Sequence, residues 1–413
     1  MWAAHRSDSV GIIFFKCYTF LHSLSSSFIT LDLLCVLCGF AVNFFSDLSG
    51  LGFYSNVKMG IPMLLNILKD GDRFGSHRVI DPKGVLPQPS EKLNNNIDIL
   101  WDNEILVDVE LLNIDSASFT QIKKEAKGDK ERIIKIILDI INKRGKLHNP
   151  ITGSGGILVG SINCIGEKLR NKCTLKKGDR IVSLVSLSLT PLKIYNINEI
   201  KCDTAQVEVD GKAILFESAI YAGLPDDIPL PLDLAVLDVC GAPVQTSRLI
   251  SPGNIVVIIG AGGKSGILCA YAAREKLQSD GKVIGIGHSD KSIKNLETVD
   301  LCDSILKLDA RDALSCLKKI SEITNGRLAD VVINCVNVPD TELASILMCR
   351  DRGKIYFFSM ATSFTKAALG AEGVGKDIDM VIGNGYARGH AETALNILRR
   401  SKKIRKLFES IYC

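Results

Sequence analysis

Residues 254–266, NIVVIIGAGGKSG, set five apolar and mostly β-branched side chains (Ile255 to Ile259) directly before four glycines in seven positions. Such a run reads as a strand buried on both faces. The glycines let the backbone turn sharply and approach a ligand closely. Residues 267–277 read as a helix that starts at that turn. Free N–H groups and the helix dipole at such an N-terminus suit a pyrophosphate. The chemistry predicted is dinucleotide binding by Gly260, Gly262, Gly263, Lys264, Ser265 and Gly266. The spacing is a variant, GxGGxxG, because the sixth loop position is Ser265. A P-loop reading of Gly263-Lys264-Ser265 is the weaker one. The glycine a Walker A motif needs five residues before Gly263 falls at Ile258, inside the strand.

These groups need a scaffold, and the surrounding sequence supplies one. Residues 282–286 (KVIGI), 329–336 (ADVVINCV) and 353–359 (GKIYFFS) read as further strands. Helical stretches such as 312–323 alternate with them. That βαβ rhythm predicts an α/β fold, with a Rossmann doubly wound parallel sheet over 246–385. Ligands of such sheets sit at the carboxyl ends of the strands, which adds Ser289, Asn337 and Ser359 to the cofactor-binding set.

Residues 71–245 have another texture. Short β-like runs at 105–112, 156–162, 180–187 and 207–209 are separated by turns such as Lys177-Gly178-Asp179 and Asp210-Gly211. One charged amphipathic helix is expected over 119–144. This predicts a mainly β domain, with residues 386–413 packing back on it. Residues 1–70 form an atypical extension. Within it, 28–45 is mostly apolar but holds Asp32 and Asn43, which suits neither a membrane span nor a signal peptide. A start placed too far upstream, with the native chain beginning near Met59 or Met63, is the favoured explanation. A membrane anchor is the alternative.

The 413 residues carry a formal net charge of +4, too small to point to nucleic acid, and none is expected as a partner. The basic run 399–406 (RRSKKIRK) reads as the solvated face of a C-terminal helix. Thirteen cysteines are scattered through mostly apolar segments, the pattern of reduced, core-filling thiols in a cytoplasmic protein. Cys35 and Cys38 form an isolated C-x-x-C that reads as coincidence.

The domain order resembles the medium-chain dehydrogenase/reductase architecture, with a GroES-like catalytic domain before the Rossmann domain. The resemblance rests on NEILVDVELLN (103–113), LKKGDRIV (175–182) and Ser251-Pro252-Gly253-Asn254. Zinc-dependent members carry Gly-His-Glu where this chain has Gly153-Ser154-Gly155, and a cysteine where it has Ile114-Asp115-Ser116. No zinc is therefore expected. Further segments, FGSHRVIDPKGVLPQ (74–88), HNPITGSGG, SLTPLKI, AILFESAIYAGLPDD, VINCVNVP and FSMATSFTKAALGAEGVGKDID (358–379), resemble the L-erythro-3,5-diaminohexanoate dehydrogenase family of anaerobic lysine fermentation. That resemblance implies NAD-dependent oxidative deamination to 5-amino-3-oxohexanoate and ammonia. NADP is the other possible cofactor.

Such a reaction needs a general base, a carboxylate for the remote ammonium and cations for the substrate carboxylate. The family's own segments offer Glu217 and Glu372 as ammonium partner or base. His77, Arg78 and Lys366 are candidates for the substrate carboxylate, and Ser154 for the nicotinamide. Asp238 lies in the apolar stretch LAVLDVCGA, which predicts either a buried structural carboxylate or a site residue. Asp115 stands next in line, and His148 reads as a loop histidine. A homo-oligomer acting on a small diamino acid is expected. Two other readings stay open. One is a zinc-free, NADPH-dependent quinone or enone reductase, suggested by Gly287-His288-Ser289-Asp290-Lys291. The other is a dinucleotide-binding regulatory protein without turnover.

Overall fold

The computed structural model describes residues 65–359, 361–383 and 385–413. Most of the N-terminal extension read from the sequence lies outside these residues. The described chain builds two six-stranded sheets. Four short strands come first: β1 (Asn66–Leu68), β2 (Val79–Asp81), β3 (Lys92–Leu93) and β4 (Ile99–Trp101). β1 pairs with β4, and β2 with β3.

The first large sheet opens with β5 (Glu104–Asn113), followed by α1 (Ser116–Glu125) and α2 (Lys130–Arg144). Next come β6 (Ile157–Ile165), a single turn α3 (Glu167–Arg170), β7 (Arg180–Ser183), β8 (Leu192–Lys201), β9 (Gln206–Phe216) and β10 (Tyr221–Gly223). The strand order is β10-β7-β6-β5-β9-β8, antiparallel throughout. Phe119, Ile122, Ile133, Ile137 and Ile141 of the two helices join Val107, Val109 and Leu158 in one core.

The single helix expected over 119–144 is in fact two. Lys127 and Gly128 take positive φ of 55° and 77°, which ends α1. Asp129 then starts α2 by accepting the Arg132 N–H at 2.9 Å. β9 runs well beyond the 207–209 read from the sequence. Its Val207, Val209 and Ala213 are buried, while Glu208, Asp210 and Lys212 alternate with them.

α4 (Leu230–Leu237) and α5 (Gly241–Leu249) lead into the second sheet. That sheet is built from β11 (Ile255–Ile259), α6 (Lys264–Leu277), β12 (Lys282–Gly287), α7 (Asp290–Val299) and β13 (Ser304–Lys307). It continues with α8 (Ala313–Ile323), β14 (Ala329–Asn334), α9 (Glu342–Met348), β15 (Cys349–Phe357), α10 (Phe364–Gly373) and β16 (Asp379–Ile382). The order is β13-β12-β11-β14-β15-β16, all parallel, so the direction of winding reverses between β11 and β14. A crevice at such a reversal is where ligands of these sheets bind. Every residue of β11 and β14 is buried, which accounts for the unbroken apolar sequence of β11 and of Val331 to Ile333 in β14; Asp330 and Asn334 are buried with hydrogen-bond partners. The α/β class with a doubly wound sheet is the architecture found; β13 and β16 are strands the sequence reading had not picked out.

The chain closes with α11 (His390–Arg400) and α12 (Lys402–Tyr412), two helices where one was expected. Ser401 breaks the run, and its hydroxyl accepts the Ile404 N–H at 3.3 Å. These helices pack on α4, α5, α6 and α7. One apolar cluster runs from Leu395, Leu398, Ile404 and Phe408 through Leu232, Val236 and Ile267 to Leu111, Val159 and Val182 of the antiparallel sheet. The basic run lies on the solvated side, with Arg399 paired to Asp227 at 2.8 Å and Lys403 to Asp300 at 3.1 Å. No helix among the described residues is long and apolar enough to cross a membrane.

Candidate functional site

The carboxyl ends of β11, β12, β13 and β14 surround a cavity of about 430 Å³. Its wall includes Gly260, Gly263, His288, Ser289, Asp309, Arg311, Cys335 and Thr341. The glycines are there for steric reasons. Gly260 has φ +76°, and a Cβ on it would sit 2.8 Å from Val336 Cγ2. A Cβ on Gly262 would lie 2.1 Å from the Ser292 carbonyl of α7, and one on Gly266 would lie 2.3 Å from the Gly260 carbonyl. At Gly263 the nearest contact is a milder 3.3 Å. No side chain caps α6 at Gly263, so the first-turn N–H groups of Lys264, Ser265 and Gly266 are left for a ligand. Cavity size, glycine cradle and uncapped helix terminus together fit a dinucleotide.

The other members of the cofactor set are placed unevenly. Ser289 lines the cavity, but its hydroxyl accepts the Ser292 N–H at 3.2 Å and caps α7. Lys264 Nζ is tied to Asp238 Oδ2 at 2.6 Å. Ser359 is buried and its Oγ accepts the Ala361 N–H at 3.1 Å, whereas Asn337 is exposed. Asn334 fixes the turn after β14, with Nδ2 donating to Thr341 Oγ1 at 2.9 Å and to Ser345 Oγ at 3.0 Å. Asp309 and Arg311 were missed because β13 was not read as a strand. Arg311 holds both carboxylate oxygens of Asp309, through Nε at 3.0 Å and Nη2 at 2.6 Å. That pairing, with the Arg311 N–H, keeps the Asp309 carboxyl well below the usual range.

A second cavity of about 410 Å³ lies on the antiparallel sheet and is lined by Arg73, Lys172, Cys173, Glu217, Tyr221 and Tyr386, among others. Glu217 accepts from Lys172 at 3.1 Å, with Lys168 4.0 Å away. The Lys172 bond, working against partial burial, lowers its carboxyl. Of the carboxylates singled out in the sequence, Glu217 lines one of these two cavities, and Glu372, Asp238 and Asp115 line neither. Glu372 is exposed on the last turn of α10. Lys366, on the same helix, is exposed and paired with Asp340.

Two sequence readings are corrected here. Asp238 is exposed at the end of α4 despite its apolar neighbours, which removes the buried structural alternative and not the site one. The buried carboxylate of that segment is Asp233, 1% exposed, with Oδ1 lacking a hydrogen-bond partner. Burial, with Asp227 nearby, pushes its carboxyl up to about 7. Arg78 is likewise not free for a substrate carboxylate. Its Nε and Nη2 grip Glu104 at 2.7 and 2.6 Å. Its remaining N–H groups reach the carbonyls of Asn94, Asn96 and Ile99, so all five donors are engaged. His77 Nδ1 accepts the Asp72 N–H at 2.8 Å, which leaves Nε2 to donate to Glu104 at 2.8 Å.

Ser154 sits half-buried in a turn whose Thr152 hydroxyl meets the Ser118 hydroxyl at 2.5 Å. Asp115 starts α1 by accepting the Ser118 N–H at 2.9 Å, but its Oδ2 is buried without a partner. His148 Nδ1 is also buried and unpartnered. Burial, reinforced by Lys146 and Arg144, lowers the His148 pKa and favours the neutral, basic imidazole. Among the described residues, no group of three or more His, Cys, Asp or Glu side chains is placed to hold a metal ion.

A family model for the L-erythro-3,5-diaminohexanoate dehydrogenase N-terminal domain matches residues 77–225. The L-erythro-3,5-diaminohexanoate dehydrogenase of Acetoanaerobium sticklandii is 54% identical over 342 residues, covering 83% of this chain and 99% of that protein. The enzyme of the same name from Fusobacterium nucleatum is 52% identical over 345 residues, covering 84% and 100%. Among solved structures, Escherichia coli quinone oxidoreductase complexed with NADPH superposes with a TM-score of 0.45 and 17% identity, over 73% of this chain and 80% of that chain.

Proposed function

The chain belongs to the L-erythro-3,5-diaminohexanoate dehydrogenase family, and we propose that it oxidatively deaminates that diamino acid to 5-amino-3-oxohexanoate and ammonia. The observation that carries the reading on the structural side is the glycine-built, uncapped start of α6 at the strand ends. The nicotinamide dinucleotide, when bound there, supplies the hydride acceptor. The protein's own task begins with a proton. The 3-amino group must be neutral before its carbon gives up hydride, and the neutral imidazole of His148 suits that removal. Water then hydrolyses the substrate imine.

The substrate carries one ammonium and one carboxylate besides the reacting amine. Glu217 and Arg73 line one cavity and match those charges in sign, with the ammonium taking the place of Lys172 on Glu217. NAD is the proposed dinucleotide. Arg311 is already neutralised by Asp309, so a 2′-phosphate would have to break that pair, while Asp309 remains an acceptor for a ribose hydroxyl. Cytoplasmic location, independence of zinc and assembly as a homo-oligomer belong to the same proposal; ten free thiols among the described residues fit a reducing compartment.

Steady-state kinetics test it. The enzyme should favour NAD over NADP and keep its activity after dialysis against a chelator. It should also favour the diamino acid over 3-aminohexanoate by at least about tenfold in kcat/KM, since an unpaired polar partner in a closed site costs about 1–3 kcal/mol. Glu217→Gln should erase most of that preference. No turnover of the diamino acid with either dinucleotide would sink the reading. An unchanged preference in Glu217→Gln would remove Glu217 from it.

A further inference from the structure

Two thiols meet behind the glycine loop. Cys269 sits in the second turn of α6 and is fully buried. Cys335 is the first residue after β14, half-buried, and lines the strand-end cavity. Their sulfurs are 3.8 Å apart. Both cysteines are free.

The surroundings give this contact a consequence. The Cys335 N–H donates to the Ile259 carbonyl at 3.0 Å, one residue before the loop. A Cβ on Gly260 would meet the Cys335 carbonyl carbon at 3.4 Å and Val336 at 2.8 Å. Any shift of Cys335 is therefore felt at the first glycine of the cradle. A disulfide requires sulfurs about 2.05 Å apart, so joining these two closes the sulfurs by well over an ångström, shared between side-chain rotation and movement of the end of β14 against α6. Interiors are close-packed and pass such a displacement on to their neighbours.

We propose that Cys269 and Cys335 form an oxidant-sensitive dithiol, and that its oxidation to a disulfide disables the dinucleotide cavity. The oxidant class is a small peroxide entering by the cavity. The Cys335 sulfur attacks one peroxide oxygen, the O–O bond breaks, and water leaves to give a sulfenic acid. The Cys269 sulfur attacks the Cys335 sulfur, the S–O bond breaks, and a second water leaves. Two thiols are oxidised by two electrons and one hydrogen peroxide is reduced to two waters. A bound dinucleotide covers Cys335 and should slow the first step.

The full chain is treated with graded hydrogen peroxide, with and without NAD. Free thiols are then blocked, and peptides are mapped by mass spectrometry without reduction. In parallel, NAD affinity is measured by calorimetry before oxidation, after it, and after dithiothreitol. The expected result is a cross-linked Cys269–Cys335 peptide whose formation NAD slows. The Kd for NAD should rise at least tenfold and recover on reduction. Exposed Cys413 reports that peroxide is active. In Cys335→Ser the affinity should become insensitive to peroxide relative to that variant's own reduced baseline. Three results would overturn the proposal: oxidation of Cys413 with no cross-link between the pair, a cross-link that leaves NAD affinity unchanged, or persistent sensitivity in Cys335→Ser. The readouts use no diamino acid, so failure here is separate from failure of the proposed reaction.

Discussion

The two sheets are stabilised by opposite means. Along β11 the parallel sheet buries only apolar side chains and leaves recognition to backbone groups at the strand end. The flank of the antiparallel sheet buries charge instead. Arg78 and Glu104 are 0% exposed and locked together, and Trp101 stacks on the guanidinium at 4.6 Å. Lys146, also 0% exposed, donates to the Pro87 and Gln88 carbonyls at 2.7 and 3.1 Å, and burial lowers its ammonium pKa to about 8. The first arrangement tolerates exchange of one aliphatic side chain for another. The second is all-or-none, because a buried charge that loses its partner cannot be rescued by water.

The largest expected effect lies on the charged flank. Arg78→Met or Glu104→Gln should each cost about 3–5 kcal/mol in urea unfolding, the range for breaking one half of a buried pair. The double variant Arg78→Met/Glu104→Leu should lose less than either single, since no orphan charge remains. Burial alone would raise the Glu104 pKa, but hydrogen bonds from Arg78 and His77 outweigh it and hold the carboxyl below 4.5. Its stabilisation is therefore complete above pH 4.5 and is lost as pH falls below that through the folded value. Single variants costing under about 1 kcal/mol would erase the contrast between the sheets.

The next effect falls on the backbone-built site. Gly262→Ala pushes a methyl to 2.1 Å from the Ser292 carbonyl and must displace α7. Dinucleotide affinity should drop about a hundredfold by calorimetry, equivalent to about 2.8 kcal/mol. Gly263→Ala, with its nearest contact at 3.3 Å, should cost far less. Equal losses for the two would mean that the cradle does not depend on close approach.

Asp233 offers the smallest change and a sign to check. Its carboxyl is raised to about 7 in the fold against an ordinary 3.8. The native state therefore holds its proton longer than the unfolded chain, and stability falls as pH rises between those values. Asp233→Asn should gain steadily on the native protein in urea unfolding as pH rises from 4 to 8. A constant difference across that window would show that Asp233 is ionised throughout.

What could be read in advance follows the same division. Ile255 to Ile259 announced a buried strand because a strand covered on both faces needs no partner information. The break between α1 and α2 was also written locally, in Gly128 and Asp129, but the helical period on either side masked it. Asp238 and Asp233 lie five residues apart in equally apolar sequence. Which of them is covered depends on α11 and α12, encoded more than 150 residues later. Arg78 looked available for a ligand because its partner lies 26 positions away. Glu217 was placed facing a cavity, but nothing near it in sequence announced Lys172 or Tyr386.

The apolar cluster shared by α4, α6, α11, α12 and strands β5, β6 and β7 bears on how the molecule can breathe. Swinging the sheets apart about a hinge would wet Leu232, Val236, Leu395 and Leu398 together, at about 25 cal/mol for each Å² uncovered. Sliding α11 along α4 and α5 by a fraction of a helical turn keeps all of them dry. Motion during turnover should accordingly be shear. Backbone amides of α4 and α11 would stay protected from hydrogen exchange at substrate saturation, and rapid exchange there would reveal a hinge instead.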